Sequence, residues 1–201
     1  MTVDWGDGSP RESHATGLSH TYAAGSGRKL VKFFCPDWEK LTSFDINSDL
    51  GRLTLPDFSL CTKLVTLYIN SNQFSGQLPN FSVCTELTSI GVYTNLLSGT
   101  LPNFAPCTKL AYFGFSNNQF SGYVPGSLAT QKSIATLNLG VNNLPEASVD
   151  AVLADCVTSL GIPGRVVCTL SLNGAGNSPP SAAGIANHLT LEAAGWTVNI
   201  N

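Results

Sequence analysis

Five segments, beginning at Leu41, Leu64, Leu87, Leu110 and Ile134, can be laid over one another at spacings of 23, 23, 23 and 24 residues. A unit this short cannot enclose a core of its own, so it must bury its apolar side against the units before and after it. Each segment places apolar residues three and five positions on, as in Leu67 and Ile69, Ile90 and Val92, Phe113 and Phe115, and Leu137 and Leu139. Alternation of this kind belongs to a short strand with one face turned inward. Eight positions on, the residue is Asn72, Asn95, Asn118 or Asn142. An amide side chain there can bond backbone groups in a buried bend, where each unpaired group would cost about 1–3 kcal/mol.

Written out, the unit is L-x-x-L-x-L-x-x-N, followed by Phe74-Ser-Gly-Gln-Leu78-Pro79, Leu97-Ser-Gly-Thr-Leu101-Pro102 and Phe120-Ser-Gly-Tyr-Val124-Pro125. These residues resemble the plant-type subclass of leucine-rich repeats, over about Leu41 to Leu144. The match is weaker in the first coil, where Asp49 stands in for Asn and Gly51 for the apolar residue. The resemblance implies an α/β leucine-rich-repeat solenoid with a parallel β-sheet on its concave face, and a protein that works by offering that face for binding.

Cys61, Cys84 and Cys107 also recur every 23 residues. They form a ladder with neighbours about one strand spacing apart, roughly 4.8 Å. Three equivalent sites cannot all pair with each other and small thiols pack well, so reduced core cysteines are expected. A disulfide framework is a second reading, and zinc a more distant one because no His accompanies these thiols. The redox state of Cys35, Cys156 and Cys168 stays open.

A solenoid needs caps over its end coils. The division expected is a β-rich N-terminal cap over residues 1–40, repeats over 41–144 and an α/β C-terminal cap over 145–201. Trp5-Gly-Asp7-Gly8 with His20 and Tyr22 resembles the second half of a polycystic-kidney-disease-type β-sandwich, although the first strands of such a domain are missing. A strand pair capping the first coil is the reading preferred. Asp4 and Asp7 could contribute to a calcium site, but Asp in such a turn more often bonds its own backbone. At the other end, Val149, Val152, Leu153 and Cys156 mark a helix over Pro145 to Leu160. A second helix after Pro180 carries Ile185, Leu189 and Leu191, and Gly195 ends it before a last strand from Trp196 to Ile200. This terminal stretch resembles repeat proteins of bacterial surfaces and phage tails.

Composition narrows the functions. Charged residues make up 11% of the chain, well under the roughly 25% usual for soluble domains, and the formal charge is −3. Such a chain offers no electrostatic footprint for a phosphate backbone or an anionic bilayer, so neither nucleic acid nor membrane insertion is expected. No phosphate loop, H-E-x-x-H or G-x-S-x-G element is present, and His14, His20 and His188 lie far in sequence from the repeat cysteines. Asp45, Asp49 and Asp57 could mimic a glycosidase pair, but turn and surface roles are commoner. The reading is therefore a non-enzyme with no cofactor and no metal.

What remains is the outward face of the strand column. Its candidate ligand-binding residues are Asp45, Thr66, Tyr68, Asn70, Tyr93, Tyr112 and Asn138. Tyr and Asn on a rigid sheet can grip a partner at low entropic cost, and the same array suits a glycan. Against this stands the bland reading that strand exteriors must carry something soluble and that Tyr favours sheets. The expected function is a recognition or adhesion module for a protein or cell-surface carbohydrate, with a structural subunit of a phage virion or surface layer as the alternative. Met1-Thr-Val-Asp-Trp-Gly lacks the regions of a signal peptide, and the thiols look unpaired. The location expected is a virion or an extracellular surface, with neighbouring virion subunits as possible partners.

Overall fold

A computed structural model describes residues 2–4, 10, 12–13, 32–34, 37–46 and 55–201. Near the N-terminus, β1 (Thr2–Asp4), β2 (Glu12–Ser13) and β3 (Lys32–Phe34) form an antiparallel sheet in the order β2-β1-β3. Trp5, Gly6, Asp7, Gly8, His20 and Tyr22, which carry the β-sandwich resemblance, lie outside the described residues, as do Cys35, Asp49 and Gly51.

The repeats then run through β4 (Ser43–Asp45), β5 (Thr66–Tyr68), β6 (Ser75–Gly76), β7 (Ser89–Gly91), β8 (Leu96–Thr100), β9 (Tyr112–Gly114), β10 (Gln119–Gly122) and β11 (Thr136–Asn138). Beyond them come α1 (Glu146–Ser159), β12 (Thr169–Ser171), α2 (Ala182–Ala193) and β13 (Thr197–Asn199). One parallel sheet of seven strands collects β13-β12-β11-β9-β7-β5-β4. The S-G element of each coil builds a second, three-stranded parallel sheet, β10-β8-β6, on the opposite side of the coil. The period is lost after residue 144, yet the large sheet continues, because α1 and α2 replace the short convex segments while β12 and β13 keep the register. The fold is the expected solenoid of stacked coils.

Packing follows from the register. The middle residue of each strand points inward, so Phe44, Leu67, Ile90, Phe113, Leu137, Leu170 and Val198 form one rank of the core, each at most 7% exposed. Behind it Phe58, Phe81 and Phe104 stack with centroids 5.7 Å apart at each step. Ser127 takes the next place in that column, and its hydroxyl accepts the Phe104 amide at 2.8 Å. In α2 only Leu191 of the three apolar residues read from sequence is buried; Ile185 and Leu189 are exposed, because the helix packs through the side carrying Gly184 and Leu191.

The cysteine ladder is a hydrogen-bond ladder. The Cys84 thiol donates to the Phe58 carbonyl at 3.8 Å and the Cys107 thiol to the Phe81 carbonyl at 3.4 Å. In the next coil, one residue longer, Gln131 Nε2 reaches the matching Phe104 carbonyl at 2.9 Å. Cys61, Cys84, Cys107, Cys156 and Cys168 are all buried thiols. Burial pushes the Cys84 thiol up to about 12 and the Cys107 thiol to about 11 from an ordinary 9.0. The folded chain therefore keeps protons that the unfolded chain releases above pH 9, so more protons are bound in the native state and stability falls as pH rises. Urea midpoints are expected to be insensitive to these thiols below pH 8 and to decline from pH 9 to 11, with the decline reduced in Cys84→Ser.

The corners depend on backbone that side chains seldom adopt. Ser71, Thr94, Asn117 and Val141, each one residue before a corner Asn, have φ of 55°, 57°, 56° and 52°. This left-handed region tolerates Asn but strains a β-branched residue. Val141→Asn is therefore expected to stabilise the chain by about 1 kcal/mol, read as a higher urea midpoint; an unchanged midpoint would show that the Val141 contacts already compensate.

Candidate functional site

On every strand of the large sheet the residues flanking the buried middle one face outward. Parallel register lines these up as two ranks. One runs Ser43, Thr66, Ser89, Tyr112 and Thr136, and the other runs Asp45, Tyr68, Gly91, Gly114 and Asn138. A third row follows just past the strand ends, where Ser71 N donates to the Tyr93 carbonyl and so sets Asn70 beside Tyr93.

Two glycines let the tyrosines lie down. A Cβ on Gly91 would sit 2.7 Å from Tyr68 Cδ1 and 2.8 Å from Asn70 Oδ1, and one on Gly114 would sit 2.7 Å from the Tyr112 hydroxyl. The Tyr68 and Tyr112 rings therefore occupy the space that side chains would fill, spread over bare backbone. Their centroids are 6.4 Å apart and the planes meet at 46°, a shallow aromatic trough. Burial, with the nearby Tyr93 and Tyr68 hydroxyls, holds the Tyr112 hydroxyl above its ordinary pKa. Three tyrosines from three coils thus form one cluster.

The other sequence-named residues surround it. Thr66 Oγ1 donates to Ser43 Oγ at 2.9 Å, and Ser43 Oγ donates to Asp45 Oδ2 at 2.5 Å. Asp45 stands opposite Tyr68 in register. Asn138 stands opposite Gly114, and its Oδ1 accepts the Gly140 amide at 3.1 Å. Two oxygens on this face, Asp45 Oδ1 and Asn70 Oδ1, are covered and have no donor. Asp57 belongs elsewhere: it closes a turn by accepting from the Ser59 amide and hydroxyl, both at 2.8 Å, and those bonds lower its pKa.

Reading the repeats alone omits part of the face. β12 and β13 extend the ranks with Thr169 and Thr197, and with Ser171 and Asn199. The signal was present as a recurring T-x-[N/S] in Thr136-Leu-Asn138, Thr169-Leu-Ser171 and Thr197-Val-Asn199, hidden because the helices change the spacing between strands. The floor glycines, Gly91 and Gly114, were visible as outward positions but not as supports for the rings.

The outward rows carry one carboxylate, Asp45, and no Lys, Arg, His or Cys. Among the described residues, no three His, Cys, Asp or Glu side chains gather as metal ligands. The chemistry available is stacking and hydrogen bonding.

The leucine-rich-repeat family model matches residues 63–83. No curated protein matches the chain. Among solved structures, PEPR1 with AtPEP1 is 22% identical and covers 69% of this chain, with a TM-score of 0.53. The ectodomain of the plant membrane receptor kinase GASSHO1/SCHENGEN3 from Arabidopsis thaliana, in complex with CASPARIAN STRIP INTEGRITY FACTOR 2, is 22% identical over 66% of this chain, with a TM-score of 0.51. The chain spans 19% and 18% of those two chains, so it matches a small part of each. At this identity the likeness concerns the fold. Period, corner asparagines and sheet together define a leucine-rich-repeat solenoid.

Proposed function

We propose that this chain is a non-enzymatic recognition module of an extracellular surface, gripping a protein or cell-surface glycan on the concave sheet around Tyr68, Tyr93 and Tyr112. The observation that carries this reading is the pairing of Tyr68 and Tyr112 over a floor cleared by Gly91 and Gly114, with Tyr93 near Tyr112. Large rigid rings with polar tips dominate binding energy where they cluster at the centre of a surface. Asn70, Asp45, Thr66 and Asn138 supply the polar rim. A partner-binding role also agrees with the two solved structures of the same fold, PEPR1 with AtPEP1 and the GASSHO1/SCHENGEN3 ectodomain in complex with CASPARIAN STRIP INTEGRITY FACTOR 2.

The test is the triple variant Tyr68→Ala/Tyr93→Ala/Tyr112→Ala, compared with the parent for binding to intact cells and to a glycan array. The rings face outward, so the thermal midpoint should move little while binding falls more than tenfold. Equal binding by both chains would remove this face from consideration.

A further inference from the structure

The whole face, and not the tyrosine cluster alone, narrows the ligand class; this inference rests on the binding role just proposed. We infer that the concave sheet is a site for an extended neutral oligosaccharide lying across the strands, stacked on Tyr68 and Tyr112 at one end and hydrogen-bonded by a Thr, Asn and Ser field at the other.

The face is divided. Its N-terminal half holds the aromatic trough. Its C-terminal half holds Thr136, Thr169 and Thr197 in one rank and Asn138, Ser171 and Asn199 in the next, with no aromatic ring. Ring faces are suited to the apolar C–H side of a pyranose, and hydroxyl and amide groups to its equatorial hydroxyls. Neither half offers a cation, and Asp45 is the single carboxylate, so nothing rewards an ionic ligand over a neutral one.

Dimensions agree with a chain of sugars and not with a single one. Seven parallel strands at about 4.8 Å give about 29 Å from β4 to β13, and the hydroxyl rank repeats at every strand. That interval is comparable with the length of one hexose in an extended glycan, so successive sugars can meet successive strands in the same way. A protein segment would gain little from such a repeat, because its side chains differ from position to position.

The experiment uses the full chain with defined sugars. Cello-, chito- and manno-oligosaccharides of two to six units are titrated by calorimetry, with oligogalacturonates of equal length as the charged comparison. At least one neutral series is expected to bind, with affinity rising more than tenfold from the disaccharide to the hexasaccharide and no matching gain for the galacturonates. Tyr68→Ala/Tyr112→Ala should lose both lengths, whereas Tyr112→Phe, which keeps the ring, should stay within threefold of the parent. Thr169→Ala/Asn199→Ala should weaken the hexasaccharide at least fivefold and leave the disaccharide unchanged. Length-independent affinity, equal binding of galacturonates, or no binding by any of these sugars or on a neutral-glycan array would overturn the saccharide assignment. Should the triple tyrosine variant lose cell binding while no glycan binds, the sugar is wrong and the binding face stands. Should that variant lose nothing, both fall together.

Discussion

Replacing Asn95 by Ala is expected to cost about 3–4 kcal/mol and to lower the thermal midpoint by about 10 °C. The side chain is 7% exposed and works on two coils at once. Its Nδ2 donates to the carbonyls of Ile69 at 2.8 Å, Val92 at 3.0 Å and Tyr93 at 3.4 Å, and its Oδ1 accepts the Phe74 amide at 3.0 Å. Alanine leaves these backbone groups buried with no water to replace the amide. The loss also reaches the neighbouring coil, because the coils of a solenoid are stabilised largely by their interfaces. Asn95→Asp separates donor from acceptor: it keeps Oδ1 for Phe74 but presents oxygen to the carbonyls, so it should be as damaging as Ala. Asn80→Ala is the comparison, since Asn80 is exposed and accepts one amide, Ser82 N at 2.8 Å; it should cost about 0.5 kcal/mol. Equal urea midpoints for Asn95→Ala and Asn80→Ala would mean that the corner asparagines do not hold the stack.

This asparagine column also marks how much of the fold could be read from sequence. Asn72, Asn95, Asn118 and Asn142 stand at one fixed offset, and that offset is enough to locate the corners. The column has a further member, Asn177, whose Nδ2 donates to the carbonyls of Leu139 at 3.0 Å and Leu172 at 2.8 Å and whose Oδ1 accepts the Leu144 amide at 3.0 Å. In sequence it reads only as part of a Gly-rich loop, because Gly174-Ala-Gly176 shifts it two positions along. Gly174 and Gly176, with φ of 99° and 96°, fold that extra length back so that the amide reaches the same carbonyls. Local spacing thus conveyed what repeats, and failed where backbone geometry compensates for a change in spacing. The binding face shows the same division: Tyr68, Asn70, Tyr93 and Tyr112 follow from counting offsets. That the rings lie over Gly91 and Gly114 depends on the space left by neighbours one strand away, which no count within a coil contains.

The seam between the two kinds of coil carries the second large effect: Asp155→Ala is expected to destabilise the chain by about 4 kcal/mol. At this point the Phe stack ends at Ser127 and the thiol ladder passes to Gln131, so apolar contacts alone no longer specify how α1 seats on the preceding loop. Asp155, 8% exposed, fills that role from the inner side of α1. Its Oδ2 accepts the Tyr123 hydroxyl at 2.5 Å and the Leu128 amide at 3.1 Å, and its Oδ1 accepts the Gly126 amide at 2.9 Å. Burial, reinforced by this carboxylate, holds the Tyr123 proton far above the ordinary tyrosine range, so the hydroxyl remains a donor at any pH at which the chain is folded. Alanine strands the Tyr123 hydroxyl and the Gly126 amide, leaves the Leu128 amide only its bond to the Tyr123 hydroxyl oxygen at 3.1 Å, and opens a space beneath the helix. Tyr123→Phe removes the bond to Asp155 and the one the hydroxyl accepts from the Leu128 amide, but leaves Asp155 both backbone amides, so it should cost about 1–1.5 kcal/mol. Because the bonds join α1 to residues 123–128, hydrogen exchange in Asp155→Ala should accelerate first in α1 and in that loop, ahead of β5, β7 and β9. Uniform acceleration across all strands would instead make Asp155 an ordinary core residue, and a midpoint within 1 kcal/mol of the parent would show that the seam is held by packing alone.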